Sequence, residues 1–124
     1  MRMSRLAAIA ALSLVSVAPA AAQPSAVTIA MWNYDYAPRP IHLRAGAPVT
    51  LSFVNRSGSS HDVTAKGFFA SSRILAGAAP GGEVELRGGQ TRSITLVPRA
   101  GTYHVHCSHF LHKQFGMQDV IVVN

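Results

Sequence analysis

Apolar and polar residues alternate along three segments of the chain, residues 49–53, 83–87 and 93–96. A period of two is typical of a β-strand that has one buried side and one side facing solvent. Residues 27–32 and 120–123 are more uniformly apolar, which predicts strands covered on both faces. The pattern therefore predicts a chain built mainly of short strands.

Turn-forming residues separate these segments. They occur at residues 37–40, 45–46, 55–58, 80–82, 88–89 and 98–101. Short strands between turns at this spacing predict an all-β fold, either a sandwich or a barrel. Only residues 66–79 lack the alternation, and either a short helix or an irregular connection would fit them.

The first 22 residues have the composition of a cleavable signal peptide. Arg2 and Arg5 form a cationic start, residues 6–18 are an apolar run, and residues 20–22 are the small alanines that a signal peptidase requires. The apolar run is shorter than the roughly 20 residues of a membrane-spanning helix. We therefore expect export to the periplasm, one mature domain over residues 23–124, and no stable membrane insertion.

Composition and charge exclude some classes of partner. Charged residues make up 13% of the 124 residues, and the mature segment carries nine Lys and Arg against five Asp and Glu, a net charge of +4. The cations are scattered singly along the chain, so a nucleic-acid partner is not expected. At this length we expect a single domain with one core, and a monomer.

Cys107 is the single cysteine of the chain, so no internal disulfide can form. In an oxidising compartment, structural cysteines come in pairs. A leftover thiol is then an intermolecular bridge, a passive buried residue or a metal ligand. The residues around it decide between these three roles.

The strand that ends at Cys107 presents two different faces. Tyr103, Val105 and Cys107 share the apolar side, which we expect to face the core. His104 and His106 share the opposite side and are not expected to reach an ion that Cys107 binds. The cysteine therefore needs other partners.

The loop after this strand spaces three soft donor groups evenly. His112 follows Cys107 by five residues, and Met117 follows His112 by five more. A thiolate, an imidazole and a thioether suit copper in both oxidation states, whereas calcium and magnesium require oxygen ligands. A blue-copper centre needs a second histidine, and His61, after the turn-rich residues 55–60, is the candidate. Met117 would also fit a role in core packing.

These residues resemble the cupredoxin family, which includes plastocyanin, azurin and the type 1 domains of multicopper oxidases. The resemblance extends over residues 26–124 and is carried by residues 37–41, 45–46, 49–55, 61–63, 101–103, 107–117 and 120–123. The Cys-x4-His-x4-Met spacing looks most like the type 1 loop of multicopper oxidases. The resemblance implies a Greek-key β-sandwich of about eight strands. It also implies one type 1 copper ion, with His61, Cys107 and His112 as the equatorial ligands. Met117 would be the axial ligand.

Two other histidines are weaker candidates for the site. His42 lies on a short strand predicted at residues 41–44 and is expected to face solvent. His109, two residues after Cys107, is a weak substitute ligand.

Ser108 stands where multicopper oxidases have a second histidine beside the cysteine, so oxygen reduction by this chain is not expected.

The ligand set and the resemblance together predict one-electron transfer between redox protein partners. Such partners would dock transiently through the His112 loop, in which Phe110, Leu111 and Phe115 are either core residues or an apolar collar around the imidazole. No nucleophile, acid–base pair or substrate pocket is indicated, so we do not expect an enzyme. Two alternatives stay open: a periplasmic copper carrier or resistance protein without redox turnover, and a metal-free β-sandwich adaptor.

Overall fold

The computed structural model describes residues 10–17 and 25–124. Residues 10–17 form neither helix nor strand and are exposed to solvent. The rest of the predicted signal peptide, residues 1–9 and 18–22, lies outside the described residues, so the cleavage stays a prediction. Within the described part of the chain, no helix is long and apolar enough to cross a membrane.

The described residues form ten strands and two short helical segments. In chain order the strands are β1 (Ser25–Trp32), β2 (Asp35–Ala37), β3 (Ile41–Leu43), β4 (Val49–Asn55), β5 (His61–Thr64), β6 (Arg73–Ala76), β7 (Glu83–Leu86), β8 (Thr91–Val97), β9 (Gly101–His106) and β10 (Gln118–Val123). Helix α1 (Lys66–Ser71) lies between β5 and β6, and a 3-10 turn at Pro80–Gly82 precedes β7.

The strands form two five-stranded sheets. The first has the order β2-β1-β4-β8-β6, and the second has the order β3-β10-β9-β5-β7. Most neighbouring strands are not consecutive in the chain. β1 runs parallel to β4 and β10 runs parallel to β3, while the other pairs are antiparallel. This arrangement confirms the predicted all-β Greek-key sandwich.

The strand count exceeds the expected eight partly because of the segment around Pro38 and Pro40. A proline cannot donate a hydrogen bond to a strand ladder, so this segment divides into two three-residue strands. β2 pairs with β1 in the first sheet, whereas β3 pairs with β10 in the second. The segment therefore crosses from one sheet to the other.

The alternating segments place one face of each strand in the core, as predicted. Their buried members are Val49, Leu51, Phe53, Val84, Leu86, Ile94 and Leu96. Strand β1 is less uniform than its apolar composition suggested. Only Ile29, Ala30 and Met31 are buried in it, and Trp32 at its end is exposed. The two covered faces expected of this strand therefore exist only over residues 29–31, near its C-terminal end.

Residues 66–79 contain a short helix and then an edge strand. Helix α1 buries Phe68 and Phe69, and the ring of Phe68 packs edge-on against Tyr103 of β9, with centroids 5.6 Å apart. Strand β6 follows as the exposed edge of the first sheet. The period of two is absent here because side chains on one face of a helix recur every 3.6 residues, and the two buried phenylalanines are adjacent in sequence.

The chain returns repeatedly to one end of the sandwich. β5 begins at His61, β9 ends one residue before Cys107, and β10 begins one residue after Met117. A hydrogen bond from the Cys107 N–H to the Met117 carbonyl (3.1 Å) closes the loop between β9 and β10. Asn55, buried at the end of β4, holds the turn before β5, because its side-chain amide donates to the Ser59 carbonyl over 2.8 Å. The strand ends therefore bring the predicted ligands to one place.

Candidate metal centre

Three of the predicted ligands meet at this end of the sandwich. The Nδ1 atoms of His61 and His112 are 3.1 Å apart, and the Sγ atom of Cys107 lies 3.9 Å from the first and 3.4 Å from the second. His61 and Cys107 are buried, and His112 is half-buried. The donor atoms thus form a compact triangle with one corner near the surface.

The size of this triangle fits a single metal ion. A point equidistant from the three atoms lies about 2 Å from each, close to the ~2.0–2.1 Å of a first-row metal–imidazole bond and slightly short of the ~2.3 Å of a metal–thiolate bond. Two imidazoles and one thiolate in a trigonal plane, with a thioether nearby, are the ligand set of a type 1 copper site.

His61 presents its Nδ1 atom because the other ring nitrogen is occupied. Its Nε2–H donates to Asn33 Oδ1 over 2.7 Å, and Ser59 Oγ lies 3.3 Å from the same nitrogen. An amide oxygen can only accept, so Nε2 carries the proton and Nδ1 keeps its lone pair for a metal. Burial, with the nearby His112 and His109, lowers the pKa of His61 to about 4, which keeps the ring neutral at pH 7.

Cys107 is fully buried, as expected from its position on the apolar side of the strand that the sequence predicted to end there. The backbone N–H of Asp62 donates to its Sγ atom over 3.4 Å. Burial raises the pKa of the Cys107 thiol, so the protonated form is favoured while no cation is bound. A metal ion supplies the positive charge that a thiolate needs in this position.

His112 is held by the loop rather than by a strand. Its N–H donates to the His109 carbonyl (3.1 Å), and the Met117 N–H donates to the His112 carbonyl (3.0 Å). Tyr34 packs edge-on against the His112 ring with centroids 4.9 Å apart, and His109 stacks on the ring at 5.4 Å. Two turns and two aromatic neighbours therefore orient this ligand while it stays partly exposed.

Met117 is fully buried at the end of the loop. Gly116 before it has a φ of 104°, a conformation that L side chains rarely adopt, so the glycine permits the turn that precedes Met117. Burial fits both roles that the sequence left open for Met117, an axial ligand and a packing residue.

Asp62 is a residue of the site that sequence reasoning missed. It is fully buried, and its carboxylate accepts hydrogen bonds from Ser108 N–H (2.9 Å), from Ser108 Oγ and from Thr64 Oγ1 (2.8 Å). Its carbonyl accepts from the Tyr36 hydroxyl over 2.7 Å. Together with the hydrogen bond from the Asp62 N–H to the Cys107 sulfur, these contacts connect β5 to Cys107 and to the residue after it.

Further acidic side chains adjoin Asp62. Glu83 and Glu85 of β7 lie close to its carboxylate, and burial together with the negative charges of Asp62 and Glu85 raises the pKa of Glu83. His109 Nε2 lies 2.8 Å from Glu85 Oε1, so this histidine contacts a carboxylate instead of joining the three donor atoms. The negative charge lies on the thiolate side of the site and favours the more oxidised state of a bound metal.

Asn33 is a further residue of the site that sequence reasoning missed. It lies in the turn between β1 and β2, and no local motif marks it. For Asp62 one signal existed, because it directly follows the histidine that the sequence proposed as a ligand.

The other histidines stay away from the three donor atoms. His104 and His106 project from the outer side of β9, opposite the buried Val105. His42 is exposed on β3. Their positions agree with the faces assigned from the sequence.

Exposed apolar side chains share the loop with His112. Phe110 is 86% exposed, Phe115 is 60% exposed, and Leu111 is exposed as well. The ring of Phe115 packs on Tyr34 with centroids 5.0 Å apart, and Tyr34 in turn contacts His112. Of the two roles considered for these residues, exposure favours the apolar collar over the core.

The cupredoxin-like domain family matches residues 5–123 of the chain, which therefore belongs to this family. The group formed by His61, Cys107, His112 and the buried Met117 is typical of a type 1 copper site, and copper is the cofactor. No curated protein matches the chain.

Solved structures that are similar to the chain in fold include the following three. An auracyanin from the photosynthetic bacterium Roseiflexus castenholzii, reduced with dithionite, has a TM-score of 0.63 and 22% identity, covering 83% of this chain and 99% of that one. Auracyanin B has a TM-score of 0.59 and 21% identity, covering 89% and 93%. A multicopper oxidase from Campylobacter jejuni has a TM-score of 0.64 and 11% identity, covering 87% of this chain and 32% of that one.

We predict that Asp62→Asn raises the reduction potential of the copper-loaded protein. The amide keeps an oxygen to accept from Ser108 N–H and offers an N–H to Ser108 Oγ, so the contacts persist while a buried negative charge is lost. We expect a rise of at least ~60 mV, which is a tenfold bias toward the reduced state for one electron. Spectroelectrochemical titration measures it.

The matched control is Asp35→Asn, which removes an exposed carboxylate paired with Arg39 on the surface. Solvent screens that charge, so the potential should change far less. Equal potentials for Asp62→Asn and the wild type would show that the Asp62 charge does not act on the site.

Proposed function

We propose that residues 23–124 form a periplasmic type 1 copper protein that transfers single electrons between redox proteins. One observation carries the proposal: the donor atoms of His61, Cys107 and His112 form a triangle with sides of 3.1, 3.4 and 3.9 Å, which suits one ion. These three residues are the equatorial ligands, and Met117 is the axial one. When bound, the copper ion takes up and releases one electron.

The support around the ligands favours electron transfer. Asn33 fixes the ring of His61 through the bond to Nε2, and Asp62 fixes Cys107 through the bond to Sγ. Donor atoms that are held by hydrogen bonds to their neighbours move little when the charge of the site changes. Fast electron exchange requires that the ligands move little when the metal ion gains or loses an electron.

A copper carrier is the weaker candidate. A carrier that hands its ion on needs accessible soft ligands, and thioethers are the usual ones for copper(I). Met31 and Met117 are both fully buried in the part of the chain that the structure describes. With four positions around the ion taken by side chains, none is left for a substrate, so we assign no enzymatic reaction.

Electrons enter and leave through His112 in this proposal. The ring is the one equatorial ligand that is partly exposed, and the collar of Phe110, Leu111 and Phe115 lies in the same loop. An apolar patch permits close approach and quick release, as in redox encounters that bury less than about 1,200 Å². The net charge of +4 assists the approach of an acidic partner at low salt. The protein works as a monomer that meets its partners transiently.

Cys107→Ser should abolish the intense visible absorption of the copper-loaded protein and leave the β-sandwich folded. A hydroxyl cannot give thiolate-to-copper charge transfer, and the strands fold by burying apolar side chains rather than by binding metal. Absorption and far-ultraviolet circular dichroism measure the two properties. The control His42→Gln, at an exposed position on β3, should keep the colour. A serine variant as blue as the wild type would refute the assignment of Cys107.

Met117→Leu should retain copper and raise the reduction potential, because loss of a weak thioether donor disfavours copper(II) more than copper(I). The control is Met31→Leu, which changes the other fully buried methionine, in β1, and should leave the potential unchanged. Metal analysis and redox titration report the two results. The same small shift in both variants would assign Met117 to packing.

Phe115→Glu should slow electron self-exchange by at least about tenfold without bleaching the copper, since like charges brought face to face in an encounter cost several kcal/mol. Line broadening in NMR spectra of mixed oxidised and reduced protein measures the exchange. Ile74→Glu is the control, because it adds the same charge at an exposed apolar position on β6. If both variants exchange at the wild-type rate, the electron leaves elsewhere.

A further inference from the structure

The outer side of β9 carries two histidines that the copper site does not use. His104 is exposed and His106 is half-buried, while Val105 between them and Cys107 after them are buried on the opposite side. The two imidazole rings lie side by side, with centroids 5.2 Å apart and planes within 24° of parallel. Residues two positions apart on a strand point the same way, so the backbone itself keeps this pair together.

The ring centroids of this pair are about as far apart as those of the two histidines in the proposed copper site, 5.2 Å against 4.8 Å. The rings of His61 and His112 are tilted by 52°, whereas those of His104 and His106 are tilted by 24°, so an ion shared by the second pair requires one ring to rotate toward the other. The Nδ1 atom of His106 is buried and has no hydrogen-bond partner among the described residues. A buried polar atom without a partner is uncommon in folded proteins, and an ion is one of the partners that satisfies it.

A cleft of about 390 Å³ opens beside the pair. Thr64 of β5, Lys66 and Gly67 of α1, and Thr102 of β9 contribute to its lining. The cleft leaves room for water molecules to complete the coordination of an ion that two side chains hold. No carboxylate is among its lining residues, so the imidazoles are the strongest metal ligands there.

We propose that His104 and His106 form a second, surface site for copper(II), separate from the type 1 site. Imidazole is a good ligand for divalent ions of the first transition row, and copper(II) is the ion of that row that such ligands bind most tightly. Two protein ligands and water give an exchangeable site. It offers the chain a place to take up copper(II) from solution on the face opposite to Cys107.

Lys66 distinguishes this proposal from an anion site in the same cleft. Its ammonium group is the one permanent charge among the lining residues, and it repels a cation. Lys66→Met should therefore strengthen the binding of copper(II) to the pair. An anion in the cleft would depend on the same charge, and its binding would weaken.

The test is a titration of copper(II) into protein that already holds one equivalent of copper, followed by EPR and by calorimetry. Copper bound to imidazole and water has a wider hyperfine splitting than copper bound to thiolate. The two ions therefore give separate signals and can be quantified in one EPR spectrum. His104→Gln should weaken the second ion by at least about tenfold, the scale on which supporting groups affect metal affinity. The blue absorption of the first ion should stay unchanged.

The matched control is His42→Gln, which removes an exposed strand histidine that has no second histidine two positions away. This variant should bind both ions like the wild type. Equal affinity of the wild type and His104→Gln for the second ion would overturn the proposal, and so would weaker copper binding by Lys66→Met. Binding of inorganic phosphate that is lost in Lys66→Met, without a second copper ion, would assign the cleft to anions instead. Because the blue absorption is followed in the same samples, failure of this site is distinguishable from failure of the type 1 site.

Discussion

The hydrogen bonds of Asp62 join the two parts of the chain that the metal centre depends on. The first histidine ligand begins β5 and Cys107 follows β9, yet these two strands share only one paired position, Thr64 with His106. The ladder alone therefore connects them weakly at this end. Asp62 adds bonds to the Cys107 sulfur and to the backbone of Ser108. The bond to sulfur is buried and the bond to Ser108 is partly buried, so both hold the spacing of the donor atoms more firmly than fully exposed contacts would.

The site consists of a supported half and a contact half. His61 and Cys107 lie at strand ends, and hydrogen bonds to Asn33 and Asp62 orient them. His112 lies in a loop whose other side chains, Phe110 and Phe115, are largely exposed. The strands therefore determine the position of the ion, and the loop determines which side chains near the ion are exposed to other molecules. Changes in the loop can alter the partner without altering the two ligands at the strand ends.

The candidate ligands could be selected from the sequence because their chemistry is rare and mostly local. A single cysteine with His112 and Met117 at equal spacing in one loop brings together three soft donors that core packing alone does not require. The roles of Asn33 and Asp62 were not predictable in this way, since they act on residues 28 and 45 positions away. An asparagine in a turn, or an aspartate after a histidine, serves many purposes in water. Only the packed sandwich determines which ring nitrogen or sulfur each one meets, just as only the two sheets show why the proline segment forms two strands.

The burial of Cys107 has a consequence for the chain before it holds any metal. It is the single cysteine, it is fully buried, and burial raises the pKa of its thiol. Oxidation and disulfide exchange both require an accessible thiolate. The sulfur of a folded, metal-free molecule is therefore shielded from oxidation and from cross-linking to a second molecule, also in the oxidising compartment that we propose for it. The fold protects its own reactive group until an ion arrives, without the help of a second cysteine.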